Sequence, residues 1–271
     1  MHRLIVMSLA AAGVSVGLTA ATAADISPAP VFAKAPIAAP APFSWSGFYL
    51  GAQGGAGWGT ATDDFQSFTI NGLPFFSATA MTPQDQINGW HGGFTAGYNW
   101  QVNQLVLGVE GDWSFADISG KGSCSDFAKT LSVLDTCSRS SKLGNFATID
   151  GRFGFAVDHA LVYVKGGAAY GHFTHDVSAE IPSNPPFPNF TTSATDNRWG
   201  ATAGVGIEYA FARNWSAKLE YDYLDFGTRT VTLNGSFNPN FFVGNFSATD
   251  SVREQVSVVR AGVNYRFDSG R

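Results

Sequence analysis

Residues 215–224 read WSAKLEYDYL, and alternate side chains fall into two unlike sets. Trp215, Ala217, Leu219, Tyr221 and Tyr223 form one set; Ser216, Lys218, Glu220 and Asp222 form the other. Successive side chains of a β-strand point to opposite faces, so this stretch is a strand with one apolar and one ionic side. Which side meets water decides the fold.

The same alternation recurs along the chain. It runs through SWSGFYLGAQGGAGWG (44–59), GWHGGFTAGYNW (89–100), LVLGVEGDWSF (105–115) and NFATIDGRFGFAV (145–157). It returns in LVYVKGGAAYG (161–171), WGATAGVGIEYAF (199–211) and VVRAGVNYRF (258–267), giving eight strands with the opening stretch as the seventh. Three connections are short: Val102-Asn103-Gln104, Asp158-His159 and Ala212-Arg213-Asn214. The other four are gaps of about 25 residues, rich in Asn, Ser, Asp, Gly and Pro. Tight turns force antiparallel neighbours, so all short connections lie at one end and all long ones at the other. That asymmetry predicts an all-β, eight-stranded antiparallel transmembrane barrel with short periplasmic turns and long external loops.

Two barrels could use such strands. A soluble calyx puts apolar side chains inside, whereas a membrane barrel turns them outward between aromatic girdles. Ten residues at ~3.3 Å, tilted about 40°, cover roughly 25 Å, the height of the apolar band of a membrane barrel. The rings Trp58, Trp100, Trp113, Trp199, Trp215 and Tyr265 fall near strand ends, as girdles require. The ionic faces then point inward. They carry Glu110, Asp112, Asp150, Glu208, Glu220 and Asp222 against Arg152, Lys165, Lys218, Arg260 and Arg266. Six acids and five bases are nearly balanced, which suits a filled lumen in which charges pair.

Composition agrees. Of 271 residues 31 are Gly, 14% are aromatic and only 14% are charged, well below the ~25% of soluble domains. A net charge of -5 argues against a nucleic-acid partner. Residues 1–23 carry Arg3, an apolar stretch and Ala21-Thr22-Ala23, the pattern of a cleaved secretory signal. An Ala/Pro-rich periplasmic segment (24–43) follows, then the barrel (44–267) and a short tail (268–271). Cys124 and Cys137, in an exported chain, are expected to form a disulfide closing a loop of about a dozen residues, worth about 3 kcal/mol.

The stretches 44–59, GYNWQVNQLVLGVEGDWS (97–114), WSAKLEYDYLDFG (215–227) and VRAGVNYRF (259–267) resemble the outer-membrane immunogenic protein family, small OmpA-like, porin-family barrels of Gram-negative bacteria. The resemblance implies a surface-exposed structural barrel in the outer membrane. Its partners would be outer-membrane lipid, lipopolysaccharide and the barrel-assembly machinery, with oligomeric state left open. Members are linked to envelope integrity, porin-like leakage and haemin binding. Family barrels usually end on an aromatic residue that signals assembly; here Phe267 is followed by Asp268-Ser269-Gly270-Arg271.

No nucleophile, zinc cluster or phosphate loop stands out. The pairs Glu110/Asp112 and Glu220/Asp222 sit at i, i+2 on one face and read as cross-barrel ion pairs, so no catalysis is expected. His172 and His175, where the fifth strand leaves the membrane, are the candidate ligands for haemin.

Overall fold

The computed structural model describes residues 43–77, 84–123, 136–180, 190–237 and 244–267. The leader, nearly all of the Ala/Pro segment, Cys124, the side chain of Cys137 and the tail 268–271 lie outside the described residues. Nine strands are present: β1 (Gly47–Ile70), β2 (Leu73–Ser77), β3 (Gln84–Val102), β4 (Leu105–Ser123), β5 (Thr136–Val157), β6 (Ala160–Glu180), β7 (Phe190–Ala210), β8 (Trp215–Phe237) and β9 (Gly244–Arg266). Eight of them, β1 and β3–β9, pair antiparallel in chain order, and β1 closes on β9. This is the eight-stranded barrel expected from the alternation.

Two details differ from the sequence expectation. The eight long strands run 19–24 residues, not about ten, so pairing continues far into the four gaps. Beyond the lipid band no apolar side need face outward, so alternation fades while backbone pairing persists; Thr228-Arg229-Thr230-Val231-Thr232 is such a stretch. Second, β2 is an additional strand, folded back on β1 through Asn71-Gly72, both with positive φ (50° and 76°). Asn-Gly is the preferred pair for a two-residue hairpin turn of this hand. Two of the three periplasmic turns also carry one positive-φ residue, Asn103 (56°) and Asp158 (53°).

The outer wall settles the opening question. Leu107, Val109, Phe153, Ile149, Val164, Val205, Ile207 and Leu219 are exposed in mid-strand, while Glu110, Asp112, Arg152, Lys165, Lys218 and Glu220 are buried inside. An apolar exterior around an ionic interior is stable only with hydrocarbon outside. On that wall Trp100, Trp215 and Tyr265 stand beside the turns, and Trp58, Trp113 and Trp199 at the far level. Trp90, absent from the expected girdle, is exposed at the far level too.

Candidate functional site: the filled lumen

Inward positions stack in three layers. Nearest the turns, Trp45, Val106, Ala156, Leu161, Tyr163 and Ala210 form an apolar floor against which Phe43 packs. Trp45 is 1% exposed, whereas the other six tryptophans are 45–69% exposed. It precedes β1 and turns into the mouth, held where its backbone N–H donates to Gln101 Oε1 (2.6 Å) and the Gln101 backbone N–H donates to Ser46 Oγ (2.8 Å).

Above the floor lies the charge network. Lys165 Nζ sits 3.3–3.6 Å from Glu110, Asp112, Asp150, Glu220 and Asp222 at once. Arg152 bridges Glu110 (3.2 Å) and Glu208 (3.0 Å) with its guanidinium 3.9 Å over the Tyr163 ring. Lys218 reaches Glu220 (3.1 Å) and Glu110 (3.3 Å), and Arg260 reaches Asp222 (2.8 Å) and Asp112 (3.4 Å). Register explains why the pairs cross the lumen. Along the wall Glu110 faces Asp150 and Arg152 faces Lys165, so like charges are direct neighbours. Opposite charges directly across a ladder stabilise and like charges destabilise, so the charges of β4–β6 take their partners off the direct ladder positions, diagonally among themselves and from Glu208, Lys218, Glu220, Asp222 and Arg260 on β7–β9.

Ten of the eleven expected network residues are thus brought together. The eleventh, Arg266, stands apart at the periplasmic rim, over the rings of Phe43 (4.4 Å) and Trp45 (5.2 Å), with a bond to the Arg213 carbonyl (3.3 Å). Six acids therefore meet four bases, not five, and the surplus carboxylate oxygens are met by neutral donors. Tyr49 Oη donates to Glu110 (2.8 Å), Gln53 Nε2 to Asp112 (2.7 Å), Thr148 Oγ1 to Asp150 (2.9 Å) and Asn264 Nδ2 to Glu208 (2.8 Å). Tyr163 and Ser216 donate to Glu220 and Glu208. None of these six was singled out from sequence, although Thr148, Tyr163, Ser216 and Asn264 share the parity of the network charges on their strands.

Outward of the network the lumen becomes apolar again. Ile87, Ile118, Leu143, Phe146, Ala169, Phe173, Leu224, Phe226, Val256 and Val258 form a fully buried collar. Phe173 and Phe226 meet edge to face at 5.0 Å. Gly171 is needed here, because a Cβ would lie 2.7 Å from Phe173 and 2.9 Å from Phe226. Past the collar, Asp196 accepts from Arg198 Nε (2.8 Å) and lies 3.2 Å from His175 Nε2. Burial disfavours its charge, yet these two donors hold the Asp196 carboxyl down at about 2.

His172 and His175 are not brought together. His175 points inward to Asp196, while His172 lies on the opposite face with Nδ1 2.6 Å from Asn197 Oδ1. An odd spacing within one strand puts two side chains on opposite sides, so the pair cannot ligate one haemin iron from within β6. No group of three metal-ligating side chains occurs among the described residues.

The family model for the outer membrane protein beta-barrel domain matches residues 10–267. The chain belongs to this family. The 31 kDa outer-membrane immunogenic protein of Brucella melitensis is 32% identical over 238 residues, covering 86% of this chain and 89% of that protein. The 22 kDa outer membrane protein of Rhizobium leguminosarum bv. viciae is 29% identical over 201 residues, covering 73% and 72%. Among solved structures, the outer membrane protein OprG from Pseudomonas aeruginosa superposes with a TM-score of 0.44 at 15% identity, over 82% of this chain and 97% of that one. The protein is a Gram-negative outer-membrane β-barrel of the immunogenic outer-membrane type, as the resemblance implied. Its named relatives are described as outer-membrane proteins, with no enzymatic name among these two.

Proposed function

We propose that the protein is a structural, surface-presenting barrel that supports envelope integrity and neither catalyses nor conducts. The filled lumen carries this reading. Floor, network and collar leave buried side chains at every level of the interior, and an eight-stranded barrel is just wide enough to be filled this way. The acid pairs that could serve acid–base chemistry are tied to Lys165, Lys218 and Arg260. Recordings in planar bilayers test it: wild-type barrel should give no discrete openings. Sustained current steps, lost on changing Arg152 or Asp150, would establish the channel reading instead.

The partners proposed are the lipid and lipopolysaccharide around the apolar wall, and the assembly machinery. Phe267 is the residue proposed for recognition by that machinery. Its N–H donates to the Phe48 carbonyl (2.9 Å) and its exposed ring stands 5.0 Å from Tyr265 at the periplasmic rim. Phe267→Ala should reduce the amount of barrel inserted in cells, while shifting the stability of refolded protein by no more than about 1 kcal/mol, because no core contact is lost. Normal insertion of that variant would remove Phe267 from the assembly role.

A further inference from the structure

We propose that the lumen is closed by two apolar seals in series, the Trp45 floor and the aromatic collar, and that the charge network between them is not itself a barrier to ions. The inference rests on the closed-barrel reading and says where closure resides.

The two kinds of layer differ in how they meet water. In the network each cation has several partners at similar distance, Lys165 five of them within 3.3–3.6 Å. Such a cation can exchange partners without losing contact, and a passing ion or water can substitute for any one. Polar lining of this kind is how narrow pores carry ions, whereas apolar constrictions block by expelling water. Both flanking layers are of the second kind. The collar interlocks Phe173 with Phe226 and sets Phe146 against the ring of His91 (5.4 Å), with the guanidinium of Arg260 from the network 5.9 Å from the Phe146 ring. A Cβ at Gly57 would collide with Ile118, so the β1 wall touches the collar directly.

The floor is built differently and from another part of the chain. Phe43 and Trp45 lie ahead of the first strand, pack edge to face at 5.2 Å, and are capped by Arg266 and by His159, whose ring is 4.8 Å from Phe43. Ladder bonds do not hold this segment. It depends on the Gln101 clamp and on ring contacts, so it can be loosened without disturbing the β-ladder.

Two seals in series make a prediction that one seal does not. Three variants in planar bilayers test it: a floor variant (Phe43→Ala/Trp45→Ala), a collar variant (Phe146→Ala/Phe173→Ala), and their combination. Wild type, floor variant and collar variant should each be silent, and the combined variant should show discrete openings. A conducting single variant, or a silent combined variant, overturns the inference while leaving the closed-barrel reading intact. A conducting wild type overturns the closed-barrel reading itself. Folding of each is verified by its mobility difference between unheated and boiled gel samples. Should the aromatic deletions prevent folding, Val256→Thr/Val258→Thr serves as the collar variant: it keeps side-chain volume, brings hydroxyls to water, and carries the same expected outcomes.

Discussion

Lys165→Met should lower the unfolding free energy of the refolded barrel by about 3–5 kcal/mol, the range for removing one partner of a buried ionic group. The side chain is fully enclosed, and among the described residues its ammonium is the only cation in contact with five carboxylates at once. Taking it away removes the cation 3.6 Å from Asp150 and forces the remaining acids to face one another across a space that water cannot enter freely. Adding Asp150→Asn and Asp222→Asn to Lys165→Met removes two of those charges and should restore part of the loss, because these sites share one network and cannot be additive. Urea midpoints of the gel mobility shift measure both effects. A Lys165→Met barrel within about 1 kcal/mol of wild type would mean that the network contributes nothing to holding the walls together.

Val205→Arg should cost about 2–4 kcal/mol, the range for a cationic side chain at the bilayer midplane on the outside of a barrel. Val205 is exposed on β7 between the outward rings of Trp199 and Tyr209, paired with Val164 on one side and Tyr221 on the other. Val205→Leu, which keeps the surface oily, should shift stability by less than about 0.5 kcal/mol. The contrast reads the surroundings of the wall directly. On a soluble calyx an exposed arginine would be harmless, so equal stability of the two variants in lipid vesicles would reverse the assignment of faces.

Much of this architecture is legible in the sequence, and the reason is the side-chain period of two. Charged residues mark the inward parity of each strand, so Glu110 and Asp112, or Lys218, Glu220 and Asp222, fix the phase of everything around them. The collar is harder to read because its members share that inward parity but are apolar. Val258 stands two residues from Arg260 and Leu224 two from Asp222, and nothing local distinguishes an oily residue inside from one outside where the strand leaves the lipid band. A slip at Leu143/Asn145 shifts the parity of β5 between Phe146 and Leu143, which no alternation rule can follow. Trp45 follows the rule: it shares the inward parity of Tyr49 and Gln53 and is buried, although it precedes the first paired residue of β1. Arg266 has the right parity but the wrong height. It projects at the rim, where the aromatic floor lies between it and the other cations. The hairpin at Asn71-Gly72, by contrast, carried a readable turn signal.

The juxtaposition of Glu110 with Asp150 and of Arg152 with Lys165 has a consequence for how the protein is made. A growing sheet of β4, β5 and β6 would carry matching charges shoulder to shoulder, with each repelling its neighbour. Arg152 and Lys165 answer Glu110 within that sheet, and the rest of the relief arrives when β7, β8 and β9 swing round to present Glu208, Lys218 and Arg260 and the last seam to β1 is stitched. A partial sheet is therefore left with part of its charge unanswered, and the electrostatics favour carrying the barrel through to closure.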